Sequence, residues 1–179
     1  MAVIMLLYMW GMYTSMAANI AIIAGAALIF AVSLWLLRSQ ATVIKWKPDF
    51  TYATLRKGTN RLVCYDRSGQ PAQPAFSVEC TSVANLDRVA QNMRFEAMGD
   101  KRQAMLDAAE KDGSRVKPEF GSVFYNLSGA DRDRARSHTT VAVPGATAQS
   151  LGLPDNPKAG GAWIMNAGTT TAHIMVPGH

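Results

Sequence analysis

The first 37 residues contain no Asp, Glu, Lys, Arg or His. This absence constrains the chain more than any other feature. Residues 17–37 (AANIAIIAGAALIFAVSLWLL) fill the length of about 20 apolar residues that a helix needs to cross a hydrocarbon layer roughly 30 Å thick. Asn19 is the one strongly polar side chain, and it sits at the edge. A soluble helix of that length normally keeps a charged or polar face toward water. The segment is therefore expected to enter a membrane as a signal or an anchor, with residues 1–41 forming that part and residues 42–179 one following domain.

The flanks of the segment disagree with each other. Ser39-Gln40-Ala41 offers the small residues of a signal-cleavage site, but no basic n-region precedes the apolar run. Arg38, Lys45 and Lys47 follow it, which by the positive-inside rule would leave the domain in the cytoplasm. A displaced or missing start would account for the absent n-region, and a mature N-terminus near Thr42 would be its signature.

Cysteine usage points the other way. Cys64 and Cys80 are the only two, in strand-like runs (NRLVCYD and FSVECTS) separated by a turn rich in Gly and Pro. An even count with this layout fits one disulfide in an oxidising compartment. The spacing suits neither a zinc site nor a CxxC redox or haem motif. The expectation is a periplasmic or extracellular domain, exported or held at the membrane by residues 17–37.

All 13 acidic residues and all but one of the 18 Lys and Arg lie after position 41. The balance is mildly basic without a block of like charge, so nucleic acid is not an expected partner. The domain is long enough to bury a core without a structural metal.

The hydropathy period changes twice along the domain. Residues 42–49 read as a linker or leading strand. Residues 51–56 and 61–66 alternate around Lys57-Gly58-Thr59-Asn60 and look like a hairpin. Residues 75–80 form another short strand. Between Ser82 and Asp112 the apolar positions (Val83, Leu86, Val89, Ala90, Met93, Met98, Ala104, Met105, Ala108) recur at three or four, which predicts helix. Ser82 is its N-cap, Gly99-Asp100 interrupts it, and Gly113 stops it. Arg88, Arg94, Lys101, Arg102, Asp107, Glu110 and Lys111 form the expected solvated face. Strand character returns at 122–127, 138–143, 162–166 and 171–177, with a polar turn at 130–137 and a long Gly/Pro loop at 144–161. The fold class is α+β: an N-terminal transmembrane or signal helix, then a small, mainly antiparallel sheet packed with one or two helices.

Enzyme motifs are absent: no GxSxG, HExxH or phosphate-binding glycine loop occurs. Imidazole and thioether together suit copper, and His173 and Met175 share one face of a strand, with His179 close behind. These three are the candidate metal ligands. His138 opens a strand near Asp131 and Asp133 and is a candidate general base or ligand contact. Arg132, Arg134 and Arg136 alternate in a way that would meet a carboxylate or phosphate, or else pair with the aspartates among them. Trp46 reads as a membrane-proximal aromatic and Trp163 as core.

Two stretches, 55–66 (LRKGTNRLVCYD) and 161–179 (GAWIMNAGTTTAHIMVPGH), resemble small exported bacterial proteins of uncharacterised function. The resemblance implies export and carries no cofactor and no catalytic residue. The expected function is a non-enzymatic binding module, with a periplasmic copper-binding protein or a hydrolase-like enzyme using His138 or His173 as alternatives.

Overall fold

β1 (Thr42–Trp46) is an interior strand with neighbours on both sides. It pairs antiparallel with β2 (Tyr52–Arg56) and parallel with β3 (Leu62–Asp66). The computed structural model describes residues 40–177. All but Gln40 belong to one compact unit, Ala41–His179. Among the described residues no helix is long and apolar enough to cross a membrane. The segment 17–37 expected to do so, and His179, lie outside them.

The position of β1 overturns the hairpin expected between residues 51–56 and 61–66. β2 and β3 never pair, because β1 lies between them. Burial explains the choice. Ile44 and Trp46 of β1 are buried, whereas β2 is exposed along most of its length. The more apolar strand takes the interior position and the more polar one the edge. Gly58 N donates to Thr42 Oγ1 at 3.0 Å, and an Arg56 Nη donates to the Ala41 carbonyl at 3.2 Å, fixing the connection that steps over β1.

The remaining strands are β4 (Phe76–Ser82), β5 (Val123–Gly129), β6 (Arg136–Ala142), β7 (Trp163–Met165) and β8 (His173–Pro177). The sheet order is β2-β1-β3-β4-β5-β6-β8-β7, and every neighbouring pair except β1 with β3 is antiparallel. The fold is α+β. Cys64 and Cys80 are register partners on β3 and β4 and form a disulfide, as the strand layout predicted.

The helical stretch breaks where expected. Ser82 caps a 3-10 turn (Val83–Asn85) that leads into α1 (Leu86–Glu96), and Gly113 ends α2 (Arg102–Asp112) in the left-handed conformation. α1 lays Leu86, Val89, Ala90 and Met93 on Ile44, Trp46, Val63 and Tyr65. Trp46 is therefore core, packed edge-to-face on Tyr52 and Tyr65. α2 departs from its predicted face. Ala104 and Ala108 are exposed and Ala109 is its buried residue, and Met98, before the helix, is exposed as well.

Side chains alternate across the sheet. Tyr65, Glu79, Asn126 and His138 are successive register partners on the face under α1. Ile174 points to the other face, where Val143, Ile164, Ala172, Ala146 and Leu151 complete a second core. A short helix, α3 (Ala148–Leu151), closes this core inside the expected loop 144–161. Its capping box joins Thr147 and Ser150.

Candidate functional site

α1 covers β1 and β3 and leaves the helix-side face of β5, β6 and β8 partly open. Its next face points Arg88 and Asn92 over that opening. A cleft of about 160 Å³ lies there, lined by Arg88, Asn92, Glu79, Asn126, Thr140, Thr171 and His173. A second cleft of about 410 Å³ lies between α1, α2 and the turn before β8, lined by Arg102, Gln103, Glu110, Arg115 and Thr169. Asn92 and Thr171 line both clefts.

Two arginines dominate this region. Arg88 is 3% exposed and Arg115 4%. The Arg88 Nη groups donate to the Val116 carbonyl and, at 2.8 Å, to Thr171 Oγ1. The Arg115 Nη groups donate to Gln91 Oε1 at 2.6 Å and to Asn92 Oδ1, while its Nε has no partner among the described residues. The guanidinium lies 5.3 Å from the Phe95 ring centre. No carboxylate of the described residues forms an ion pair with either arginine. Burial, and then the charge of Arg115, pushes Arg88 down to about 10, so it stays cationic at neutral pH. Burial likewise lowers Arg115.

The nearby carboxylates are engaged elsewhere. Glu110 accepts from the Thr170 hydroxyl, from Thr170 N at 3.2 Å and from Thr171 Oγ1 at 3.2 Å. Burial acts to raise Glu110, but these hydrogen bonds and the Arg88 charge outweigh it and hold the group below its ordinary value. Glu79 accepts from the Tyr65 hydroxyl. Burial raises Glu79, against the opposing pull of Tyr65 and Arg67. Tyr65 is pushed well up by burial and by the Glu79 charge.

His173 stands at the edge of the smaller cleft. Its Nδ1 is 2.7 Å from the Thr171 carbonyl, which can only accept, so Nδ1 carries a hydrogen, and in the neutral imidazole Nε2 is then the acceptor. His138 is lowered by burial and by His173. Met175 shares the face of His173, in register with Thr140 and Trp163. Among the described residues no three His, Cys, Asp or Glu side chains are grouped to hold a metal ion.

Arg132, Arg134 and Arg136 lie away from this cleft. Arg134 makes a two-point contact with Asp131 on an exposed turn. Arg136 opens β6 opposite Ser128, where the sequence reading placed a turn. Arg88 departs furthest from expectation: its spacing put it on the solvated face, and the fold buries it. Its one sequence signal is its position, two residues after buried Leu86 and one before Val89, at the border of the apolar stripe. Arg115 and Glu79 carried no signal, and Asn126 carried only a bare Asn-x-Ser match that does not point to a cleft.

No family model matches the chain, and no curated protein and no solved structure is significantly similar to it.

Proposed function

We propose that this domain is an exported or membrane-tethered module that binds a small organic acid in the paired clefts beside α1. Arg88 carries the reading. It is a buried cation lining the smaller cleft and bonded to Thr171, which lines both; no carboxylate of the described residues forms an ion pair with it, and Glu110 acts on its charge at longer range. A guanidinium has five N–H donors, and two Nη contacts leave three uncommitted. A ligand carboxylate fits such a fork with two parallel hydrogen bonds. Asn92, Asn126, Thr140 and His173 Nε2 supply polar contacts for the rest of a hydroxylated or amide-bearing molecule. The disulfide agrees with an oxidising compartment, and residues 17–37 would provide the tether.

Isothermal calorimetry on the full chain in lipid nanodiscs tests this with a panel of small carboxylates and their matched amides. At least one carboxylate should bind tenfold or more tightly than its amide, and Arg88→Met should erase that preference. Amides binding as well as acids across the panel would refute the reading.

A hydrolase-like activity is the second reading. Glu79, with its raised carboxyl, and His173, with a free Nε2, line one cleft, the pairing a general acid and base require. Turnover of an ester or amide that Glu79→Gln abolishes, while ligand binding persists, would favour it.

A further inference from the structure

A third cavity lies at the C-terminal end of α1, lined by Trp46, Phe50, Met93, Arg67 and Glu96 and bordered by Lys47. We propose that it is a separate binding site for an amphipathic organic anion, one with a flat apolar body and a single acidic group.

The cavity measures about 550 Å³, within the range of small-molecule sites. Trp46 and Met93 are buried side chains of the main core, so they form a fixed apolar wall. Phe50 adds a second aromatic to the lining. It sits in the turn between β1 and β2 with φ of 65°, a left-handed conformation that non-glycine side chains seldom adopt. The Lys47 and Phe50 backbone hydrogen bonds hold that turn, at 2.8 and 3.0 Å. An aromatic lining of this kind suits a ring or a slender chain.

The charges select the sign of the ligand. Lys45, Lys47 and Arg67 are the cationic residues of the lining, and Glu96 is its one carboxylate. Glu96 already accepts from buried Arg67, so the pair is neutral as a unit. Arg94 adds a further cation, 5.8 Å from the Phe50 ring centre. Asp49 in the same turn offsets part of the Lys47 charge, and Lys45 and Arg94 leave the mouth cationic in sum, which favours an apolar body ending in a carboxylate or sulfonate. Trp46 contributes one polar handle. Its buried Nε1 has no acceptor among the described residues, and a ligand oxygen would supply one.

The site stands independently of the arginine clefts, which share none of its lining residues. Its test uses the full chain in lipid nanodiscs, with empty nanodiscs as the blank, titrated calorimetrically with 2-naphthoate and with its neutral carboxamide. The naphthoate should bind in the micromolar range and at least tenfold more tightly than the carboxamide. Lys47→Glu should weaken naphthoate by fivefold or more and leave the carboxamide unchanged. Ala97→Trp, which fills the cavity from its exposed rim without touching the core, should abolish both. Arg88→Met should alter neither. Equal binding of the two probes, or undiminished binding to the Ala97→Trp chain, overturns the proposal.

Discussion

Tyr65 donates its phenolic hydrogen to Glu79 across the β3–β4 pair, where the two residues are direct register partners. The bond sits at the head of a row that continues through Asn126 to His138, so a polar line runs under α1 beside the apolar core.

Glu79 should make stability fall as pH rises. Its folded carboxyl titrates above its ordinary value because burial favours the neutral form. The folded state therefore holds the proton more tightly than the unfolded one. That contribution is complete below the unfolded value of about 4.3 and is lost as pH climbs through the raised folded value. Glu79→Gln keeps an acceptor for Tyr65 and cannot ionise. Urea unfolding from pH 4 to 8 should show the variant gaining on the parent chain across that window. A constant difference would contradict the assignment.

Asn85 should not tolerate replacement by aspartate. It is fully buried, and its Nδ2 donates to Thr81 Oγ1 at 2.8 Å and to Ser122 Oγ at 2.9 Å. Both hydroxyls have already committed their own hydrogens, Thr81 to the Val123 carbonyl and Ser122 to that of Glu119. They can only accept, so a carboxylate would face two acceptors in a buried site. Asn85→Asp should cost roughly 3 kcal/mol at neutral pH, with part of the loss recovered in acid, where the new carboxyl can donate. Denaturant midpoints at pH 7 and pH 4 measure both effects.

Reduction of Cys64–Cys80 should lower the unfolding free energy by about 3 kcal/mol, the entropy released when a loop of this size is opened. The sequence separation is 16 residues. Paired urea titrations with and without a phosphine reductant give the number directly. No change in midpoint would mean the bond adds nothing to native stability.

Gly129 leaves no room for a side chain. A Cβ there would lie 2.8 Å from Ala135 Cα and 2.9 Å from the Arg134 carbonyl oxygen. Both are backbone atoms of the turn between β5 and β6 and cannot swing away. Gly129→Ala should destabilise by about 1–3 kcal/mol, read from thermal or urea unfolding. An unchanged variant would show that the turn takes a different path.

Local rules explain why much of the framework was legible. Val83, Leu86, Val89 and Met93 announced a helix by spacing alone, and Ser82 and Gly113 marked the ends of the helical stretch. The disulfide followed from two cysteines in adjacent strand-like runs. Strand order was not legible. Nothing within residues 51–66 shows that β1 will lie between the two runs, because that choice depends on which strand can bury more apolar surface against α1. The site was legible only at His173. Arg88 looks like any cation beside an apolar stripe until α1 meets the sheet, and Glu79 and Asn126 become neighbours only through β-register. Long-range pairing creates such sites, and periodicity reports only on local order.

The interior position of β1 also has a mechanical consequence. The polypeptide enters the domain at Ala41 and runs straight into a strand bonded on both sides. A pull on the chain from its N-terminal side reaches β1 first, and its component along the strand acts on both neighbours. It loads the β1–β2 and β1–β3 hydrogen bonds together in shear instead of peeling an edge strand one bond at a time. A domain attached through this strand resists tension at the point where a tether would apply it.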